Sequence, residues 1–239
     1  IDSIPHYLLN IADPKKPVSL YGWQKNAWRC IDLVIKSNRA PLLVGGTMLY
    51  LDAIAKNYAL PQVLPQPEFR RELSGRPAAE LYQEAIKLDP KAADFIERHN
   101  QRRLLRALEV MYYTGKKFSE TREQRPAKYN VILLGLKPSR AELKKNIQAR
   151  VKLMLKQGLV DETRGLIAKH GSNLALLKTI NYEQAQDIIE GQDQDETADA
   201  MVRANLRYAS RQISWWKNRS DITWLEEPDI KQVLASLDQ

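Results

Sequence analysis

The chain has 239 residues and a net charge of +8, enough length for one large core or two modest ones. Its 44% apolar content is ordinary for a globular protein, and no apolar run approaches the ~18 residues of a membrane span. A single cysteine, Cys30, excludes an internal disulfide framework and favours reduced, cytoplasmic surroundings. Three dispersed histidines exclude a zinc constellation. The basic excess fits either a solvated surface or a polyanionic partner such as nucleic acid.

The first 60 residues have the pattern of an α/β arrangement. Residues 4–11 resemble a loop that enters a strand, and residues 19–37 predict an amphipathic helix. The apolar run 41–44 predicts a buried strand, and residues 47–56 predict a second helix. Alternation of strands and helices favours a parallel sheet. The apolar face of the first helix is expected to comprise Trp23, Ala27, Trp28, Ile31, Val34 and Ile35.

Residues 61–120 predict a small helical module. Prolines at 61, 65 and 67 mark its start. Helices are expected over 78–88, 90–97 and 100–114, with no convincing strand among them. A module this short is expected to lean on the rest of the chain.

The remainder, residues 121–239, returns to an α/β pattern. A buried strand is expected over 129–136, and Ser139 with Glu142 forms a capping box that opens a helix ended by Gly158. Further helices are expected over 161–169, 182–190, 195–217 and 228–237, with a short strand over 222–225. The chain is therefore an α/β core, residues 1–60 and 121–239, interrupted by a helical insertion over residues 61–120.

The turn Gly45-Gly46-Thr47 joins the strand predicted over 41–44 to the next helix. Such a turn directs free backbone N–H groups and the positive helix end toward one place, as phosphate-binding turns do. Glycines also let the backbone approach a ligand closely. The alternative is an ordinary turn in which Thr47 is an N-cap.

Three basic groups could contact anions. Arg102, Arg103 and Arg106 share one side of a helix whose other side is apolar. The helix of residues 201–217 combines arginines at every fourth position with two tryptophans, a composition that suits phosphate contacts and base stacking. Arg150 lies in a third basic helix. The alternatives are solvated charges and tryptophans in the core.

Taken in order, these segments resemble one family, the tRNA dimethylallyltransferases (tRNA isopentenyltransferases). The matching stretches are Pro5-His6, Asp13-Pro14, residues 41–50, residues 103–110, residues 150–155, Gly158-Leu159 with Glu162, and residues 211–215. Their order and spacing run the length of the chain.

The resemblance implies a P-loop NTPase-like α/β core with an inserted helical domain that contacts tRNA. It also implies an activity, the transfer of a dimethylallyl group from dimethylallyl diphosphate to N6 of adenine 37, beside the tRNA anticodon, with help from Mg²⁺. The adenine is flipped out of its stack, as chemistry on a base requires. Negative charge builds on the departing pyrophosphate, so N–H groups and cations suit the catalysis.

The resemblance also suggests roles for individual residues. Thr47 is expected in the reaction channel and Arg150 at the diphosphate, both as catalytic residues. Gly45, Gly46 and Arg70 are expected at the substrate, Arg70 beside the flipped base. Expected tRNA contacts are Gln101, Arg102, Arg103, Leu104, Leu105, Lys178, Tyr182, Arg211, Gln212, Trp215 and Lys217. No metal ligand is assigned within the chain.

This sequence also departs from the family pattern. The family's phosphate-binding loop and catalytic aspartate precede the position of Ile1, so the core is expected to be incomplete at its N-terminus. The Mg²⁺ site is then expected largely in that segment, and residues 1–239 alone are expected to bind tRNA weakly and catalyse little. Asn181 stands where the family has Gly, and Asn146 where it has Arg.

Two other classes remain open from sequence. A small-molecule kinase of the P-loop type would suit the same α/β layout, although the basic, tryptophan-containing helix speaks against it. A non-catalytic tRNA-binding remnant would suit the basic surface. The expected partners are the tRNA anticodon stem-loop and dimethylallyl diphosphate, with no membrane, and we expect a monomer.

Overall fold

The computed structural model describes residues 4–16, 18–122 and 125–226. Within those residues it is a mixed α/β protein with nine α-helices and a two-stranded parallel sheet. It divides into two compact units. Unit 1 is formed by the described parts of residues 1–8, 18–45 and 49–129, and unit 2 by those of residues 9–17, 46–48 and 130–239. The helix expected over 228–237 lies outside the described residues.

The α-helices follow the sequence prediction closely, except that the one over 67–74 was not predicted and the one expected over 90–97 is replaced by a short 3₁₀ helix. They are α1 (Leu20–Lys36), α2 (Met48–Ala55), α3 (Pro67–Ser74), α4 (Ala78–Leu88), α5 (Gln101–Thr114), α6 (Arg140–Lys156), α7 (Leu159–His170), α8 (Tyr182–Ile189) and α9 (Gln194–Trp216). Short 3₁₀ helices occupy Pro90–Asp94, Ser119–Arg122 and Ala175–Lys178. The strands are β1 (Leu133–Leu136) and β2 (Ile222–Leu225).

In unit 1, α1 is held by its caps and by one buried amide. The Ser19 hydroxyl accepts a hydrogen bond from the Gly22 N–H at its start. Gln24 is buried, and its Nε2 donates to the carbonyl oxygens of Ala53 at 2.7 Å and Tyr58 at 3.0 Å, which ties α1 to the end of α2. The apolar face is shorter than predicted, because Ile35 is 48% exposed.

The chain leaving the helical module returns to α1. Lys128 Nζ and Tyr129 Oη each donate to the Asp32 carboxylate at 2.9 Å. The bond from Lys128, followed by that from Tyr129, lowers the pKa of Asp32. Residues 128–129 therefore belong with unit 1.

The core of unit 1 lies between α4 and α5. Leu81, Leu104 and Leu108 are fully buried there, and Phe69 of α3 packs against them. Each such leucine contributes about 1.5–3 kcal/mol relative to an exposed one. Asn100 caps the start of α5, and Gly115, with φ of 66°, ends it. The predicted helical character of residues 67–120 is confirmed.

The strand expected over 41–44 is absent. Leu42 is 84% exposed and Val44 81% exposed, and the residues form no ladder. An apolar run becomes a strand only where another strand satisfies its backbone groups. In the part of the chain that the structure describes, β1 and β2 pair with each other and nothing pairs with residues 41–44. No strand forms over residues 4–11 either.

In unit 2 the two strands pair in parallel, with Leu133 opposite Ile222 and Gly135 opposite Trp224. The bounds of β2 match the predicted strand. However, β1 is shorter than predicted and is not fully buried, since Leu136 is 57% exposed. A continuous apolar strand is buried on both sides only when a larger sheet and its helices cover it.

Helices α6, α8 and α9 pack around Val151, Ala185 and Met201, each at most 1% exposed. The capping box of Ser139 and Glu142 at the start of α6 is confirmed. Unit 2 therefore contains a helical cluster and a small sheet, and α6 and α9 are its longest described helices.

We predict that Gly135→Ala destabilises the protein. A Cβ at Gly135 would lie 2.7 Å from two ring atoms of Trp224 on the paired strand, so the ring must move. We expect a loss of about 1–3 kcal/mol in the free energy of unfolding, measured by chemical denaturation.

The matched control is Gly165→Ala in α7, where no atom lies within 4 Å of the new Cβ. This change should stabilise the protein by about 0.5–1 kcal/mol, because alanine favours a helix interior. Equal effects at the two glycines would contradict the packing argument.

Candidate functional site

The carbonyl oxygen of Gly46 anchors the glycine turn to α9. It accepts hydrogen bonds from Tyr208 Oη at 2.9 Å and from Gln212 Nε2 at 2.7 Å. Both donors lie on the C-terminal half of α9, more than 160 positions along the chain. Thr47 follows immediately, exposed and one residue before α2 begins. The turn is therefore fixed, and the Thr47 side chain is presented to solvent beside α9.

Glycine stands at positions 45 and 46 for different structural reasons. A Cβ at Gly46 would lie 2.2 Å from Gln212 Nε2, so the bond from Gln212 requires glycine there. At Gly45 the nearest atom to a new Cβ is Leu51 Cδ2, at 3.9 Å. Open space beside Gly45 is compatible with the predicted approach of a ligand, whereas Gly46 is explained by packing.

The C-terminal end of α9 carries exposed cationic and aromatic side chains. The Arg211 guanidinium carbon lies 5.6 Å from the centre of the Tyr208 ring. Trp215 is 45% exposed, and Lys217, the C-cap, is exposed. Gln212, predicted as a tRNA contact, uses its amide on Gly46. The helix thus presents the stacking and cationic groups expected of an RNA surface.

Arg150 is exposed on α6 and forms no ion pair with a described residue. Its neighbour Val151 is buried in the unit 2 core and fixes the orientation of this turn of helix. Lys178 is exposed directly after the buried Leu177. Both cations are therefore held on ordered backbone with their charges available to an anion.

Tyr182 has a structural partner in unit 2. Its hydroxyl donates to Glu162 Oε1 at 2.6 Å, and its ring packs against the core. Burial, followed by the bond to Glu162, raises the pKa of Tyr182 to about 12. The phenol stays protonated at neutral pH and remains a hydrogen-bond donor.

Asn181 adopts a backbone conformation with φ of 74°, on the side that favours glycine. This explains the glycine that the resembled family has here. The Asn181 side chain accepts a hydrogen bond from Asn205 Nδ2 at 2.7 Å, and the Asn181 backbone N–H donates to Gln184 Oε1 at 2.8 Å. These bonds hold the asparagine in place.

In unit 1 a buried carboxylate holds two arginines. Glu109 is fully buried and accepts from Arg70 Nε at 2.8 Å, from Arg70 Nη2 at 2.7 Å and from the Gln66 N–H at 2.6 Å. Arg106 also donates to it. Burial alone raises the pKa of Glu109, but the bonds from Arg70, Gln66 and Arg106 outweigh it and lower the pKa.

The burial of Glu109 was not predicted from the sequence. The available signal was its place beside Leu108 and Val110, on the buried side of α5. Arg70, predicted at the substrate, keeps 39% of its side chain exposed while paired with Glu109. A partly exposed, bidentate arginine can still offer donors to a ligand.

At the start of α5 the predicted tRNA contacts separate into two kinds. Gln101 Nε2 donates to the Ser74 carbonyl at 2.9 Å, and Arg102 and Arg103 are exposed. Leu104 is fully buried and Leu105 is half-buried against the same core. The Leu104 side chain therefore has no surface to offer a ligand, which corrects its assignment. The exposed side chains of Arg102 and Arg103, and the backbone of this helix start, remain available to a ligand.

Among the described residues, no group of three or more His, Cys, Asp or Glu side chains is placed to hold a metal ion. Nor is any described helix both long and apolar enough to cross a membrane.

Comparison with known proteins decides the family. The family model described as IPP transferase matches residues 1–219. This chain belongs to the IPP transferase family. The family expected from the sequence is thereby confirmed.

Two bacterial relatives illustrate the match to the IPP transferases. The tRNA dimethylallyltransferase of Prochlorococcus marinus is 35% identical over 228 residues, which are 95% of this chain and 76% of the relative. That of Halalkalibacterium halodurans is 33% identical over 238 residues, covering 96% of this chain and 76% of the relative.

Solved IPP transferase structures have the same fold. The full-length tRNA isopentenylpyrophosphate transferase of Bacillus halodurans matches with a TM-score of 0.66 and 30% identity, over 99% of this chain and 77% of that one. A eukaryotic dimethylallyltransferase, captured acting on tRNA, matches in fold with a TM-score of 0.80, at 23% identity, over 100% of this chain and 64% of that one.

We predict that Glu109→Gln destabilises the protein and flattens its response to acid. The folded-state pKa of Glu109 lies below the ordinary value of 4.5, so its stabilisation is present above that value. It is lost as pH falls through the folded-state pKa. Removing the charge should cost about 3 kcal/mol near neutral pH, because two arginines lose their buried partner.

Chemical denaturation between about pH 3 and pH 7 measures this pH dependence. The exposed Glu72 of α3 supplies the control, since Glu72→Gln should change the unfolding free energy by less than about 0.5 kcal/mol. Parallel pH curves for wild type and Glu109→Gln would contradict the assignment.

Gly46→Ala and Gln212→Ala should lower stability by similar amounts, about 1 kcal/mol each, because both break the bond from Gln212 to the Gly46 carbonyl. The double variant should lose less than the sum, as coupled partners do. Gly45→Ala, with open space at its Cβ, should leave stability unchanged. Strict additivity in this cycle would show that the two residues are not coupled.

Proposed function

We propose that this IPP transferase moves a dimethylallyl group from dimethylallyl diphosphate to N6 of adenine 37 in tRNA. The observation that carries the proposal is the match, over 95% of the chain, to a protein named tRNA dimethylallyltransferase. Exposed cations and aromatic groups at the end of α9 and at the start of α5 support an RNA partner.

The reaction has one demand that these residues can meet. The adenine amine forms a C–N bond with the allylic carbon while the C–O bond to pyrophosphate breaks, and the amine nitrogen releases its proton to solvent. Negative charge grows on the departing pyrophosphate, so a positioned cation stabilises the transition state. Arg150, exposed and without a described ion-pair partner, is proposed to hold the diphosphate.

The glycine turn is proposed as a wall of the reaction channel. Because Tyr208 and Gln212 fix Gly46, the backbone that carries the adjacent Thr47 has a defined position. The Thr47 hydroxyl can orient the flipped adenine by a hydrogen bond. Open space at Gly45 allows the substrate to approach the backbone.

Each unit offers its own groups for the proposed tRNA contacts. Arg70, Arg102 and Arg103 of unit 1 are cationic and at least partly exposed. Lys178, Arg211 and Lys217 of unit 2 are exposed cations, and Trp215 offers a ring. The helical module of residues 61–120 is proposed as an insertion that binds the anticodon stem-loop, within a P-loop NTPase-like core.

The expectation that Mg²⁺ assists the reaction rests only on the family resemblance. The described residues bring together no acidic cluster that would bind Mg²⁺, so no step of the proposed mechanism depends on the ion. A cytoplasmic, monomeric enzyme remains part of the proposal.

We predict that Arg150→Gln lowers the kcat/KM for dimethylallyl diphosphate by roughly 10²- to 10³-fold, because the pyrophosphate loses a charge that stabilises it in the transition state. Transfer of label from dimethylallyl diphosphate to tRNA measures the effect.

Lys152→Gln on the same helix is the control, since Lys152 is exposed and has no proposed role. An equal loss in both variants would argue against a specific role for Arg150. Absence of transfer by the wild-type protein would overturn the function itself, and phosphorylation of a small molecule would favour a kinase instead.

A further inference from the structure

A groove of about 510 Å³ lies between α6 and α9, in unit 2. Arg140, Lys144 and Gln148 line it from α6, while Asp199 and Arg203 line it from α9. Its apolar lining consists of Val202, which is buried, and Leu206, which is half-buried. None of these residues is among the proposed catalytic or tRNA-binding residues.

The charge of the groove is strongly positive. Among the described residues that line it are three cations and one carboxylate, and all four side chains are exposed. None of the three cations forms an ion pair with a described residue, Asp199 included. Cations gathered without an internal counter-charge repel one another and favour an external anion.

The walls of the groove are ordered. Val151 of α6 and Met201 of α9 pack in the same core, at 1% and 0% exposure. Residues 140, 144 and 148 are each one helical turn apart, so they form a single row along α6. A second row of arginines, again at every fourth position, runs along α9 from Arg203 through Arg207 to Arg211. This row is about 12 Å long.

We propose that this groove binds the phosphate backbone of the RNA substrate, away from the base that reacts. The inference rests on the proposed function, which makes tRNA the substrate. A strand passing Arg211 can continue beside Arg207 toward the groove, because several nucleotides span about 12 Å at 3.4 Å per strand step. The phosphates of an RNA strand are spaced along the chain, so they can contact the cations without lying against Asp199. A small dianion bound in the groove would instead lie close to the Asp199 carboxylate, which repels it.

The test compares two triple variants of the full chain. The first removes the groove cations: Arg140→Gln, Lys144→Gln and Arg203→Gln. The second removes three exposed cations of α1 and α4: Lys25→Gln, Arg29→Gln and Lys87→Gln. Both lower the net charge equally, so a difference between them reports the position of the charges.

The affinity for tRNA is measured over a range of salt concentrations. The groove variant should lower the slope of log K against log[salt] by roughly 2 to 3, since each lost phosphate contact contributes about 0.7 to 0.9. The control variant should keep the wild-type slope. Equal slopes for wild type and the groove variant would overturn the proposal.

Asp199→Asn gives a result of opposite sign. Removing this carboxylate, the only one among the described residues that line the groove, should tighten tRNA binding by roughly two- to fivefold at low salt, because a like-charge repulsion with phosphate is removed. Unchanged or weaker binding would contradict the predicted phosphate path.

Inorganic pyrophosphate distinguishes a free phosphate ligand from the RNA backbone. Inhibition of transfer by pyrophosphate and the KM for dimethylallyl diphosphate should be the same in the groove variant and the wild type. A selective loss of pyrophosphate inhibition would identify a small-anion site and overturn the proposal. Failure of the wild type to transfer label would overturn the enzymatic function, whatever the salt slopes show.

Discussion

The unit 2 side of the candidate site depends on one carbonyl oxygen. Gly46 O accepts two hydrogen bonds, from Tyr208 and Gln212, which use both lone pairs of that oxygen. Through them, a turn near the beginning of the chain is fixed to a helix near its end. The same helix carries Arg211 and Trp215 at its C-terminal end and packs against α6, the helix of Arg150. The substrate contacts proposed for unit 2 therefore include residues on α9, on the turn fixed to it and on α6, which packs against it.

Unit 1 follows a different rule, in which a charge is buried and neutralised locally. Glu109 lies at zero exposure among leucines, and Arg70, Arg106 and a backbone N–H satisfy it. An arginine held by two bonds loses freedom before a ligand arrives, so less conformational entropy remains to be lost on binding. A fully buried carboxylate can therefore assist the proposed RNA binding indirectly, by positioning an arginine that contacts the RNA.

Local signals in the sequence predicted local structure well. The capping box of Ser139 and Glu142, the bounds of α4 and the position of β2 all follow from spacing within a few residues. Prediction failed where the outcome depends on distant partners. Residues 41–44 have the composition of a strand but no neighbour in the described chain, and Leu104 was assigned to a binding surface although the packing of α4 against α5 buries it.

The candidate site was predictable to a similar degree. The identities of exposed cations could be recognised from family motifs, because such motifs keep order and spacing. The partners that hold them could not, since Glu109 with Arg70, and Gln212 with Gly46, join residues far apart in the chain. Buried polar groups such as Gln24 were missed for the same reason, as their burial is a property of the assembled fold.

Asn181 has a consequence for how this protein can change over time. Its positive φ is tolerated because Asn205 and Gln184 hold it, so the residues form one linked set. With asparagine at 181, losing Asn205 removes a hydrogen bond that offsets the backbone strain. With glycine at 181 there is no such strain, so position 205 is no longer needed to offset it. The order of substitutions therefore matters, because position 205 tolerates more residue types when glycine rather than asparagine stands at 181.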